Sequence, residues 1–541
     1  MKKLFILLAL TCSGITAAPF EQLFHQGNTL FHQGKYEPAL ASYMKALELS
    51  DQYPELFFNI GTVHLIQKNI EAAISYFEKA VALKPEYAKA HIHLGRLYTT
   101  LKNTDNAIYH YSRALEIEPT NLEVLLKLSA LYKEQEDCFA AAVTLLKAVD
   151  LKPDDVGILF EYAYVNTMIG NTAMTKLAYE KILSLQPNNT QIFYNLGYTY
   201  KMEGNTTKAI EYYQKALALK PDYEEAHFAM ALAHLMAGDF THGWPLYERF
   251  LKNQQRNGES IRSFLRTKTM AGKRIVLRPE GHFGDTFQFI RFAKELHDLG
   301  ARVVVIAQPQ LHQLLKLCSY IDELEVSGTP IKSPIDGFAT FMSMSCIMNA
   351  DEQMMGRSVP YLYADTALIE YWHTKLANDT NIKVGLVWQA DVKNDVSRFP
   401  VARRGIPLKL LATTLKDIPG VSFYSLQKVD GVEQLKDLPA GFELNTFGAD
   451  FDESHGRFMD TAAVMKNLDV VLTVDTAVAH LAGGLGVKTW VMLPWQTDWR
   501  WIAGRTDCPW YPTMRIFKQP QPFDWENVAN EIHTMLSAMR K

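Results

Sequence analysis

Small and apolar residues in the first half of the chain return at a fixed step of 34. Gly27, Gly61, Gly95, Ser129, Ala163, Gly197 and Ala231 form one register, and Ala39, Ala73, Ala107, Ala141, Thr175, Ala209 and Gly243 form another. Pro85, Pro119, Pro153, Pro187 and Pro221 close successive blocks. This is the period of a two-helix unit, which cannot bury its apolar face alone and stacks on copies of itself. Small side chains at the recurring positions let the helices approach closely. A seventh, degenerate block runs from Glu224 through Gly238-Asp239-Phe240 to Tyr247, where Pro245 is expected to interrupt the second helix.

From Lys273 the period changes. Arg274 to Leu277 reads as a buried strand, followed by a glycine-bearing turn, a helix from about Thr286 to Leu299, and a second strand from Arg302 to Ala307. After Pro360 come four more short apolar runs, Val384–Trp388, Val421–Leu426, Val470–Val474 and Trp490–Leu493. Strands alternating with helices predict parallel sheets wrapped by helices, here two Rossmann-like halves facing across a cleft. The domain plan is then a leader over 1–17, an α-solenoid of six to seven repeats over 18–251, and α/β halves over 273–365 and 380–541.

Ligands of open parallel sheets bind beyond the carboxyl ends of the strands. The residues there are polar: Glu280-Gly281-His282-Phe283-Gly284-Asp285 after the first strand, Gln427-Lys428 after Leu426, and Asp475-Thr476 after Val474, with His480 on the helix that follows. Unpaired amides at a helix N-terminus suit a phosphate at the Asp475-Thr476 turn, and Lys428 would add a point charge.

Charge is balanced, 55 Lys and Arg against 59 Asp and Glu, with no basic block to neutralise a nucleic-acid backbone. The five cysteines, Cys12, Cys138, Cys318, Cys346 and Cys508, are scattered and have neither a zinc nor a disulfide spacing. Met1-Lys2-Lys3, the apolar run Leu4–Leu10 and the tail Ile15-Thr16-Ala17-Ala18 read as a secretory signal cleaved after Ala17, so export to the periplasm or medium is expected; were the segment an N-terminal capping helix with an apolar face instead, the protein would be cytoplasmic. No later run is long enough to span a membrane.

The blocks resemble the tetratricopeptide repeat in their order of small residue, aromatic, alanine and closing proline. Further on, Asp475-Thr476-Ala477-Val478-Ala479-His480-Leu481-Ala482-Gly483 resembles the donor-site motif of heptosyltransferase-like glycosyltransferases, and Gly284-Asp285 matches their N-terminal motif. Trp499-Arg500-Trp501 and Pro509-Trp510-Tyr511-Pro512 are similar to bacterial proteins that join such a domain to repeats. The resemblance implies a GT-B fold and a metal-independent transferase with no cofactor beyond its nucleotide-diphosphate sugar. In it Gln427, Lys428, Asp475, Thr476 and His480 would hold the donor. Gly281, His282 and Gly284 would form the acceptor loop, and Asp285 would act as general base, worth roughly 10²- to 10⁴-fold. A protein or glycan acceptor would come by way of the repeats.

Other readings stand beside these. Asp285 also suits a helix cap, His480 a core histidine and Lys428 an ordinary surface charge; Asp450-Phe451-Asp452 reads as a solvated turn. The chain departs from the family at Lys393-Asn394-Asp395, which is separated from Arg403-Arg404-Gly405-Ile406-Pro407, at Gly405 where relatives carry serine, and at His282-Phe283 where they carry Gly-Leu. A non-catalytic exported scaffold with a degenerate transferase domain is the alternative. The positions His25, Asn59, His93, Lys127, Glu161, Asn195 and Ala229 keep only two rungs of the asparagine ladder with which related transferases clamp peptide.

Overall fold

The computed structural model describes residues 19–253, 259–328, 330, 334–391 and 400–539. The expected signal, Met1 to Ala17, and the Lys393-Asn394-Asp395 segment lie outside them. Two compact units divide at Val165/Asn166, inside the repeat array.

Fourteen helices of 13 or 14 residues fill the stretch from Pro19 to Asn253. Both sequence registers have a physical cause. A Cβ placed on Gly27, Gly61, Gly95 or Gly197 would stand 2.5, 2.9, 2.7 or 2.6 Å from the ring of Tyr43, Phe77, Tyr111 or Tyr213, so the small residue of each first helix makes room for an aromatic on the second. Second helices start at a side-chain cap: Asn69, Asn103, Asp137, Asn171 and Asn205 each accept from the amide three residues on. Pro245 does not end the last one, which runs unbroken from Phe240 to Asn253. A proline early in a helix forfeits only one backbone bond, and Trp244 and Tyr247 bury that helix on both sides of it.

The second unit owes its cohesion to the later repeats. The Trp244 indole donates to the Ala350 carbonyl at 2.7 Å and meets Trp499 edge-on, the Ala503 amide donates to the Met236 carbonyl at 2.8 Å, and the Gly170 turn packs on Pro522 and Val401. These links merge the final repeats and the α/β region into one apolar core, which is why the division falls at Val165 and not at the end of the array.

The α/β region holds two all-parallel sheets. The first comprises β1 (Arg274–Arg278), β2 (Arg302–Ala307), β3 (Glu323–Val326) and β4 (Gly337–Thr340), in the order β3-β2-β1-β4. The second comprises β5 (Ile382–Val387), β6 (Val421–Ser425), β7 (Leu444–Asn445), β8 (Val470–Val474), β9 (Thr489–Leu493) and β10 (Met514–Lys518), in the order β10-β9-β8-β5-β6-β7. In each sheet the chain builds outward on one side of its first strand and then returns to the other. The reversals fall at β1/β4 and β5/β8, the places where a parallel sheet opens a crevice.

Candidate functional site

The crevice is a cleft of about 1170 Å3, lined by the loop after β1, the ends of β5, β6, β8 and β9, and one surface that the sequence did not reveal. Tyr198, Lys201, Leu232 and Met236 of the repeats form part of its wall. Lys201 lies over the Tyr198 ring at 5.2 Å, and the Tyr198 hydroxyl accepts from Gln496 at 2.7 Å. Burial pushes the Lys201 ammonium down, with the Asp498 carboxylate opposing.

Strand β8 is buried along its length and delivers Asp475 and Thr476 to the cleft. Thr476 is extended and caps the helix Ala477–Gly484, its hydroxyl accepting from the Val478 amide at 3.2 Å. His480, one turn on, is buried; its Nδ1 meets the Tyr511 hydroxyl at 2.8 Å and its ring stacks on Trp501. Burial, reinforced by the charges of Arg500, Arg291 and Arg404, holds its pKa well below the ordinary histidine range. The imidazole is therefore neutral at working pH, a hydrogen-bonding group without charge. Desolvation raises the Asp475 carboxyl, Arg404 opposing and Asp498 adding to the effect.

The first half reaches the same helix through Gly284. A Cβ there would stand 3.1 Å from His480 Cδ2 and 3.6 Å from Ala477 Cα, so glycine lets the helix Phe283–Phe289 press against the start of Ala477–Gly484. That helix begins at Phe283, three residues before the expected start, and breaks at Ile290 before a second segment, Arg291–Asp298. Asp285 therefore lies in the first turn and caps nothing; the N-cap position is His282. Asp285 Oδ1 instead accepts from Arg500 Nη2 at 2.8 Å. Gly281 and His282 are exposed; His282 lines the cleft, whereas Gly281 is not among its lining residues and offers its carbonyl to Gln308 Nε2 at 2.9 Å.

Gln427 is committed to the protein. Its Oε1 accepts from the Trp388 and Gln389 amides, both at 3.0 Å, and its Nε2 donates to the carbonyls of Gln389 and Asp430 at 3.0 and 2.7 Å. It ties the end of β5 to the turn after β6 and shapes the floor. Lys428 stands at the rim, donating to the Phe451 carbonyl and to Glu453 Oε1 at 2.9 Å. Of the expected solvated turn at Asp450-Phe451-Asp452, Asp450 is exposed, but Phe451 and Asp452 are buried. Phe451 stacks on Phe447 with centroids 4.4 Å apart, Asp452 accepts from the amide and hydroxyl of Thr461, and its own amide donates to Asp460 at 2.9 Å. The amide and hydroxyl of Thr461, in the first turn of the helix Met459–Met465, thus satisfy the buried Asp452 carboxylate.

Arg500 was visible in the sequence only as the centre of a Trp-Arg-Trp triplet. It is largely shielded from solvent, held by Asp285, by Asp498 at 2.9 Å and by the Gln288 side chain at 2.8 Å, and it lies over Phe289 and Trp499. Burial would weaken its charge, but the Asp498 and Asp285 carboxylates more than offset that and raise its pKa. At Gly405 a Cβ would collide with Gln389 Oε1, so a serine there would have to displace the end of that side chain.

The fold thus defines a helical repeat array joined to a two-sheet parallel α/β module with a shared cleft. Residues 88–121 and 190–223 match the profile described as Tetratricopeptide repeat, residues 54–87 match another of the same description, and residues 27–68 match a TPR repeat profile. The stretch of about 250 residues at the N-terminal side is a tetratricopeptide repeat array, a class of protein-interaction module. Among curated proteins, Protein FlbA of Caulobacter vibrioides is 30% identical over 187 residues, 32% of this chain and 28% of FlbA. The chain thus spans under a third of that relative's length. Among solved structures, MamA is similar at 26% identity over 32% of this chain and 93% of MamA, with a TM-score of 0.29. YrrB, described as a TPR protein with an unusual peptide-binding site, is similar at 23% identity over 34% of this chain and 95% of its own, also at 0.29.

Proposed function

We propose that the α/β module is a GT-B glycosyltransferase unit that binds a nucleotide-diphosphate sugar in the cleft and directs it to a hydroxyl acceptor, with the repeats recruiting a protein or glycan partner. The observation that carries this reading is the junction at Gly284, where the helix bearing Asp285 packs against the start of the Thr476-capped helix bearing His480, at the switch points of two parallel sheets. Amides at a helix start, with Lys428 at the rim, suit a diphosphate, and no metal ion is required. Arg500, held by two carboxylates, would sit beside that charge. Asp285 uses Oδ1 toward Arg500, so Oδ2 is the oxygen that would take an acceptor proton. Sugar nucleotides are made in the cytosol, so this reading requires either that the signal-like N-terminus is not an export signal or that the protein meets its donor elsewhere.

A second reading follows from the same ion pairs. Asp285 is bound to Arg500 and Lys428 to Glu453, an arrangement that also suits a binding scaffold in which the base and the phosphate-seeking lysine have been retired. Slow hydrolysis of sugar nucleotides with water as acceptor separates the two. Turnover abolished by Asp285→Ala with nucleotide binding retained supports the transferase; binding without turnover in the wild type supports the scaffold.

A further inference from the structure

The turn of the last repeat carries a cluster that the other repeats lack. At the position where earlier second helices have an asparagine or aspartate cap, Asp239 also caps, accepting from the His242 amide at 3.3 Å through Oδ1. Its other oxygen, Oδ2, receives His234 Nδ1 at 2.8 Å and His242 Nδ1 at 2.8 Å. The positions equivalent to His242 in the preceding repeats are Lys208, Met174, Ala140, Asn106 and Ala72, and those equivalent to His234 are Tyr200, Asn166, Tyr132, Tyr98 and His64. Neither histidine is a repeat requirement, and the cap needs neither.

We propose that His234, Asp239 and His242 form a binding site for a divalent transition-metal ion of the zinc type. One nitrogen from each imidazole and one carboxylate oxygen lie within 4.8 Å of one another, the only such group of three among the described residues. Zinc bonds of about 2.1 Å place neighbouring ligand atoms about 3.0–3.4 Å apart, so the 2.8 Å contacts need open by only a few tenths of an ångström. Two imidazoles with one carboxylate form a borderline donor set that zinc accepts and that disfavours magnesium or calcium, which take oxygen. Each imidazole now offers Nδ1–H to Asp239, so a neutral ring would move its proton to Nε2 and give Nδ1 to the metal, a change of tautomer with no net proton release. His242 is 69% exposed and Asp239 36%, which leaves a face for water as the remaining ligand. The bound ion would clamp the end of the helix Glu224–Met236 to the start of Phe240–Asn253, beside the Met236 backbone that anchors Ala503.

The test is calorimetric titration of the full chain with zinc chloride. One saturable site is expected, weakened at least about tenfold by His242→Ala and by Asp239→Asn. Asp239→Asn keeps a cap residue that four earlier repeats already use, Asn69, Asn103, Asn171 and Asn205, so its loss of zinc cannot be ascribed to unfolding. Absence of saturable binding, or binding that persists unchanged in both variants, overturns the proposal.

Discussion

Arg500 donates to Asp285 at 2.8 Å across 215 positions of sequence, from the short helix after β9 to the helix after β1. The two α/β halves are thereby linked by residues that line the cleft. Asp285→Asn removes one of two carboxylates that compensate a largely shielded guanidinium, and Asp498 remains to share the load. Stability should fall by about 2 kcal/mol, less than for a pair with no second partner. Denaturant unfolding measures this; an unchanged midpoint would mean that the ion pair contributes nothing to joining the halves.

In the repeats, Gly197→Ala sets two effects of opposite sign against each other. Alanine favours a helix by about 1 kcal/mol over glycine, but the new methyl would stand 2.6 Å from the Tyr213 ring, and overpacking of that kind costs about 1–3 kcal/mol. Net destabilisation is expected in thermal unfolding. A raised melting temperature would show that Tyr213 can step aside.

Acid should loosen the first repeats. His110 is buried, its Nδ1 meets that of His91 at 2.9 Å, and its ring stacks on Tyr98. Burial first, and the neighbouring His91 second, bring its pKa from 6.5 to about 4. Between those values the unfolded chain takes up a proton that the folded chain refuses, so stability falls as pH drops through that window, by about 2 kcal/mol after allowing for solvent screening. His110→Gln should flatten the acid limb of a stability profile between pH 6.5 and 4; an identical slope would place the titration elsewhere.

Glu453 pairs with the Lys428 ammonium at the rim of the cleft. Glu453→Gln should strengthen nucleoside diphosphate binding by roughly threefold at low salt, with the gain shrinking as salt screens the exposed pair. Equal affinity at all salt concentrations would remove Lys428 from the site.

The sequence disclosed what repeats or alternates. The step of 34 exposes both registers because every unit solves the same packing problem, and β2 and β8 match their predicted ends since they are continuous apolar runs between polar turns. The strands that escaped are edge strands or short: Glu323–Val326 carries two glutamates, Gly337–Thr340 starts on glycine, Leu444–Asn445 has two residues, and Met514–Lys518 has a charge at its second and last positions. Gly284 and Asp285 were legible as a pair, but their partners were not. Local pattern says nothing about a residue 215 positions away, so Arg500 looked like part of an aromatic triplet. Tyr198 and Lys201 read as any repeat residues in the sequence, and only the structure shows them in the cleft wall.

The most direct test of the proposed cleft function is calorimetric titration of the protein with a panel of nucleoside diphosphates and nucleotide sugars, in parallel with Lys428→Ala. Saturable binding of one base, weakened roughly tenfold in the variant through loss of a charge-assisted contact, is the expected result. No binding across the panel, or binding that the variant leaves intact, would contradict a donor site in this cleft.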